Sequence, residues 1–167
     1  AEIATIARPY AEALFKVAVK GDLNAAHVAG PAALAKAAKA AGASAFVHVS
    51  ANGADADSTV DYARTKAEGE AAVLAAFPKA TVLRPSIVFG SDDNFINMFA
   101  KLIANLPVIP VFGPEAKLQP VFVDDAAAAL AAALANPAKH GGKTYELVGP
   151  DVLTMGELNG MIAHADR

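Results

Sequence analysis

The sequence predicts an α/β fold built on a parallel sheet, and three observations carry that reading. Two short apolar runs of strand length, 46–50 and 81–83, lie on either side of a longer stretch with helical periodicity. A helical segment also precedes the first run, so the order helix, strand, helix, strand falls at the spacing of βαβ units. Beyond Gly90 the rhythm loosens, but apolar runs and alanine-rich segments still alternate toward the C-terminus.

Arg8-Pro9-Tyr10 opens a first helix, because proline suits an initial helical turn. Ala11, Leu14, Phe15 and Ala18 follow the i, i+3, i+4, i+7 pattern, and Gly21 ends it. A second helix is expected over 25–41, with Asn24 as cap, Gly42 as stop and a kink or late start at Pro31. After the strand at 46–50, Ser58 or Thr59 begins a helix running to about Phe77. The strand 81–83 leads into Arg84-Pro85-Ser86. A helix over 94–105 follows, with Phe95, Phe99 and Leu102 at helical spacing read as core. Strands are expected at 108–112, 119–123 and 144–147. The alanine-rich stretch 124–135 is a helix whose first turn holds Asp124 and Asp125, favourable to its dipole. Thr154-Met155-Gly156-Glu157 fits a capping box and starts a last helix.

Composition removes several function classes. Of the 167 residues 42 are alanine, so larger apolar side chains suffice for one modest core only. Fourteen basic and 17 acidic residues give a net charge of −3 without a basic cluster, which leaves no electrostatic footprint for nucleic acid. The longest uncharged stretches, such as 126–138, fall short of the roughly 18 apolar residues a membrane span needs. There is no cysteine, hence no disulfide, thiolate zinc site or cysteine nucleophile. No basic segment followed by a long apolar run marks a secretion signal, and the expectation is a cytoplasmic protein. His27, His48, His140 and His164 share no metal-ligand spacing and read as structural or surface residues. Asp55, Asp57 and Asp61 read as a solvated loop, since no EF-hand pattern follows.

Chemistry concentrates at Tyr62-Ala-Arg-Thr-Lys66. Residues at i and i+4 share a helix face, so the ammonium can lie beside the phenol. A nearby positive charge favours phenolate, which would make Tyr62 an acid or base toward a carbonyl or alcohol. Ser50, at the end of the preceding strand, could hold the reacting oxygen. The spacing alone equally describes an exposed tyrosine on a charged helix face.

Phe46-Val-His-Val-Ser-Ala51, Tyr62-x-x-x-Lys66 and Thr81-Val-Leu-Arg-Pro-Ser-Ile-Val-Phe-Gly90 together resemble the second half of an extended or atypical short-chain dehydrogenase/reductase. The branch they most resemble is that of the NAD(P)-binding accessory subunit of respiratory complex I. Asn24-x-x-His-Val-x-Gly30, Gln119-Pro-Val-Phe-Val-Asp-Asp125 and Tyr145-Glu-Leu-Val-Gly-Pro150 fit the same pattern, so the resemblance covers about 24–165. It implies catalytic roles for Tyr62, Lys66 and Ser50, with Lys66 also on the cofactor ribose. It places Pro85, Ser86 and Val88 on the nicotinamide side of NAD or NADP. Ser50 is followed by Ala51 where many relatives have a second serine.

The family opens with a strand, a glycine-rich turn and a helix whose N-terminus receives the pyrophosphate. This sequence contains neither G-x-G-x-x-G nor G-x-x-G-x-x-G. The expected fold is therefore a truncated Rossmann-like parallel sheet lacking that first unit, with an added N-terminal helix. Residues 1–18, Ala-Glu-Ile-Ala-Thr-Ile-Ala-Arg-Pro-Tyr-Ala-Glu-Ala-Leu-Phe-Lys-Val-Ala, resemble the start of the delta subunit of bacterial F-type ATP synthase. The chain thus reads as a helical segment, 1–23, joined to a truncated reductase-like domain, 24–167. Two functions follow from the resemblance. One is a scaffold or partner-binding module without independent catalysis, associating with another protein or with itself. The other is an NAD(P)-dependent oxidoreductase or epimerase using Tyr62 and Lys66, possibly completed by another chain.

Overall fold

The computed structural model describes residues 23–106, 108 and 110–165. The helix expected over 9–20 and the stretch resembling the ATP synthase delta subunit therefore lie outside the described residues. The chain divides into two compact units. One takes the described residues up to Arg84 together with Leu130–Tyr145; the other takes the described residues of 85–129 and 146–165.

The first unit begins with α1, Leu23–Ala40. The helix continues through Pro31, which costs one backbone hydrogen bond without ending the element. It stops at Gly42, whose φ of 74° is the left-handed conformation a glycine adopts without strain. Strand β1, Val47–Val49, then precedes α2, Asp61–Ala76, and β2, Thr81–Pro85. Strands β1 and β2 are parallel, with Val47 opposite Thr81 and Val49 opposite Leu83. A third strand, β6 (Thr144–Leu147), completes the order β1-β2-β6, and the Val82 amide donates to the Lys143 carbonyl at 2.9 Å. The parallel sheet and its helices are those the sequence predicts.

Alanine determines how this unit packs. Ala35 and Val73 have no exposed surface, and with Phe77 and Ala80 they form a buried cluster where α1 meets α2. The rings of Phe46 and Phe77 stack beside it at 5.8 Å between centroids. Small side chains let helices approach closely but bury little apolar area, so Val73 and Phe77 each matter, at about 1.5–3 kcal/mol per fully buried side chain.

The second unit holds β3 (Val88–Phe89), α3 (Ile96–Asn105), β4 (Lys117–Leu118), β5 (Val121–Phe122), β7 (Leu153–Thr154) and α6 (Met155–Ala165). Helix α4, Val123–Ala135, starts directly after β5, and the short α5, Pro137–His140, belongs to the first unit. Strands β3 and β5 are parallel, whereas β4 and β7 are antiparallel, a pairing the βαβ reading does not anticipate.

Proline accounts for two departures. The strand expected at 119–123 is shortened to β5, which begins only after Pro120, because proline has no amide for the ladder, and Val123 already belongs to α4. The strand expected at 108–112 is absent among its described residues, since Pro107 and Pro110 remove donors. Val108 and Phe112 are instead 81% and 82% exposed. Helix α3 also differs from expectation, with no buried residue. Phe95 and Phe99 are half-buried and meet edge to face at 5.2 Å, and Leu102 is exposed, so they form a partly open face and not a sealed core.

Local signals are realised where side chains meet backbone. Asp93 Oδ1 accepts from the Ile96 amide at 2.6 Å at the start of α3. At α6 the capping box closes: the Glu157 amide donates to Thr154 Oγ1 at 3.1 Å, and the Thr154 amide donates to Glu157 Oε2 at 2.7 Å. Those bonds hold the Glu157 carboxyl below its ordinary value, chiefly through the Thr154 amide. Gly149 is required by proximity: its carbonyl accepts from Gln119 Nε2 at 2.8 Å, and a Cβ there would collide with the Pro120 carbonyl oxygen.

Candidate functional site

Helix α2 brings Tyr62, Lys66 and Glu70 along one side at four-residue intervals. Lys66 Nζ lies 5.5 Å from the centroid of the Tyr62 ring, so the ammonium sits over the aromatic face in cation–π geometry. The pair read from spacing is brought together in space. The tyrosine is 61% exposed, on the first turn of a helix whose preceding residue, Val60, gives no side-chain cap. Just beyond it Arg64 pairs with Asp61.

Ser50 sits at the end of β1, with its amide donating to the Leu83 carbonyl at 2.7 Å. Its residue exposure is 4%, and its hydroxyl has no hydrogen-bond partner among the described residues. Leaving a buried hydroxyl unsatisfied costs about 1–3 kcal/mol, so a native structure has reason to supply a water or ligand oxygen there.

Three further residues surround this region: Glu70 and Arg84, given no role by sequence reading, and His48, read there as structural or surface. Glu70 is buried and receives a two-pronged bond from Arg84, with Nε to Oε1 at 2.9 Å and Nη2 to Oε2 at 2.7 Å. This clamp fastens α2, the helix bearing Tyr62 and Lys66, to β2. His48, on β1, is held below its ordinary pKa, first by burial; Glu70 opposes that shift and Lys66 adds to it. The signals available in sequence were Lys66-x-x-x-Glu70 and an arginine closing an otherwise apolar strand.

Pro85, Ser86 and Val88 lie in the second unit, half-buried. The Ser86 amide donates to the Leu147 carbonyl at 2.8 Å, and Val88 stands opposite Val121 in the β3–β5 pair. Among the described histidines, His140 has a structural contact, its Nδ1 lying 3.0 Å from the Tyr145 hydroxyl. Among the described residues no group of three or more His, Asp or Glu gathers as a metal site, and no described helix is long and apolar enough to cross a membrane.

These groups fit a dinucleotide only in part. Lys66 offers an ammonium to ribose hydroxyls and Ser50 an unsatisfied hydroxyl, but the chain has no glycine-rich turn to supply amides to a pyrophosphate. The residues present do not by themselves fit NAD or NADP, and no hydride step is derived from them.

Comparison with known proteins agrees with this architecture. The RmlD substrate binding domain model matches residues 18–167, which leaves 1–17 outside it. The Arabidopsis thaliana protein named NADH dehydrogenase [ubiquinone] 1 alpha subcomplex subunit 9, mitochondrial, is 46% identical over 116 residues, 68% of this chain and 28% of that protein. A Caulobacter vibrioides ceramide reductase is 37% identical over 124 residues, 74% of this chain and 39% of that protein. The chain thus spans well under half the length of these relatives. In fold it is similar to the Streptomyces venezuelae dTDP-glucose 4,6-dehydratase DesIV, solved with NAD bound. That TM-score is 0.74 at 22% identity, covering 89% of this chain and 52% of that one. The expectation of a cytoplasmic protein is overturned here, because the Arabidopsis relative and those from Dictyostelium discoideum and Rattus norvegicus are named as mitochondrial. With the matched span and the α/β layout in agreement, the chain belongs to the RmlD substrate binding domain family, on a short-chain reductase-like fold.

Proposed function

We propose that this chain is a partner-binding module that keeps the reductase fold as scaffold and has no independent catalysis, serving a mitochondrial assembly of the NADH dehydrogenase kind. The observation that carries the reading is the stretch around 108–112. Val108 and Phe112 are more than four-fifths exposed, on a segment whose prolines keep it from pairing as a strand. An apolar segment held in water is costly unless a partner covers it. The naming of the Arabidopsis and Dictyostelium relatives as subunits of such an assembly supports the same reading. On this reading the stretch resembling the ATP synthase delta subunit, ahead of the family match, is a second contact segment. The test is native-gel migration of the tagged chain from isolated mitochondria. Co-migration with the NADH dehydrogenase assembly, lost in the Val108→Asp/Phe112→Asp variant, is expected; migration as a free protein overturns the proposal.

A second reading rests on the unsatisfied Ser50 hydroxyl beside an ammonium-bearing tyrosine helix. On it the chain is half of an NAD(P)-dependent oxidoreductase or epimerase, with Tyr62 exchanging the proton, Lys66 beside its ring reaching the cofactor ribose and Ser50 holding the substrate oxygen. Another chain would supply the pyrophosphate cradle. A ¹⁵N–¹H correlation spectrum with saturating NADH or NADPH tests it. Shifts at Ser50, Lys66 and Gly90 support this reading, and an unchanged spectrum in the presence of the candidate partner removes it.

A further inference from the structure

The second unit contains a cavity of about 500 Å³, within the range of small-molecule sites. Phe89 and Phe122 form one wall, Ile96 of α3 another, and Leu158 and Ile162 of α6 a third. The charged residues in the lining are Asp125 and Asp151, both exposed; no lysine, arginine or histidine joins them. Settled protein interiors are close-packed, and an apolar space of this size open to water is a standing cost that an apolar occupant relieves. The polar groups specify the occupant's other end. Two carboxylates with no basic residue beside them in the described lining attract a cation and repel an anionic head group.

We propose that this cavity binds a single-chain amphiphile with a protonated amine head, its alkyl chain among Phe89, Phe122, Leu158 and Ile162 and its ammonium between Asp125 and Asp151. Met161, 59% exposed and also in the lining, gives the wall a flexible thioether that adapts to chains of different length. The site lies wholly within the second unit and does not depend on Tyr62, Lys66 or a nucleotide.

The test compares dodecylamine with dodecanoate, both below their micelle concentrations at pH 7, by calorimetry and by methyl NMR of the chain. Saturable 1:1 binding of dodecylamine is expected, at least tenfold tighter than dodecanoate, with the largest shifts at Ile96, Met161 and Ile162. Asp125→Asn/Asp151→Asn, both surface changes, should bring the two affinities within about threefold, a loss of roughly 0.7 kcal/mol or more of preference. Ala165→Trp, at an exposed lining position, should weaken both by narrowing the space. Equal affinity for the two head groups overturns the proposal, as does an absence of saturable binding. So does a concentration-dependent dimer by sedimentation that alone reproduces the methyl shifts, because the cavity is then an interface between copies.

Discussion

Replacing Arg84 by methionine tests whether the clamp between α2 and β2 holds the candidate site in place. Glu70 has a side-chain exposure of 8%, and both its carboxylate oxygens accept from Arg84. Methionine keeps much of the aliphatic volume but leaves a carboxylate buried without the guanidinium. Removing one partner of a fully buried pair costs about 3–5 kcal/mol. Arg84 is 26% exposed at its side chain, so solvent recovers part of this and about 2–3 kcal/mol is expected. For a chain of this size that lowers Tm by roughly 5–10 °C. Urea midpoints of wild type and Arg84→Met at pH 7.5 measure it. The double variant Glu70→Leu/Arg84→Met should recover part of the loss by removing the buried charge. A deficit below about 1 kcal/mol, or a double variant no more stable than Arg84→Met, refutes the argument.

Three other outcomes follow from local geometry. His48 is depressed by burial, so its neutral form favours the folded state; that stability is full above the unfolded value near 6.5 and declines as pH falls toward the folded pKa. His48→Phe should flatten the rise of the urea midpoint between pH 5 and 7.5. Thr154→Ala removes the hydroxyl of the capping box and should cost about 1 kcal/mol of α6 stability, read by amide exchange in that helix. The deficit should persist in acid, because the lost hydroxyl accepts from the Glu157 amide, which does not titrate, and the Thr154 amide that chiefly depresses the Glu157 carboxyl is unchanged. Gly149→Ala forces a collision with the Pro120 carbonyl and should destabilise the second unit by about 1–3 kcal/mol or more, seen as a lower urea midpoint.

What sequence reading recovers here depends on how local the determining force is. Gly42 as a helix stop, Thr154 with Glu157 as a cap, and the strands at 81 and 144 are encoded within a few residues, and each appears where expected. The missing strand at 108–112 and the shortened one at 119–123 are also local, because prolines there cannot donate to a ladder. Helix α3 failed differently. Phe95, Phe99 and Leu102 have the spacing of a core face, but burial depends on what the fold places opposite, which periodicity does not contain. At the site, an i, i+4 spacing on a helix was enough to put Lys66 over Tyr62. The Glu70–Arg84 clamp joins residues 14 apart through a helix-to-strand return, and a one-element reading does not reach it.

The contrast between Ser50 and Tyr62 bears most directly on function. A proton-exchanging side chain acts best where water is excluded, because solvent weakens every electrostatic contact in the site. Tyr62 has the partner charge but is mostly exposed, whereas Ser50 is sealed off with its hydroxyl unsatisfied. One half of the pair lacks cover and the other lacks an oxygen to bond. Both are relieved by the same event: a surface closing over α2 and bringing a polar group to the end of β1. A partner docking on 108–112 alone would leave the Ser50 amide resonance unchanged, while a completed dinucleotide site would move both it and that of Tyr62. Following those two amides as partner and nucleotide are added in turn therefore separates a scaffold from half an enzyme.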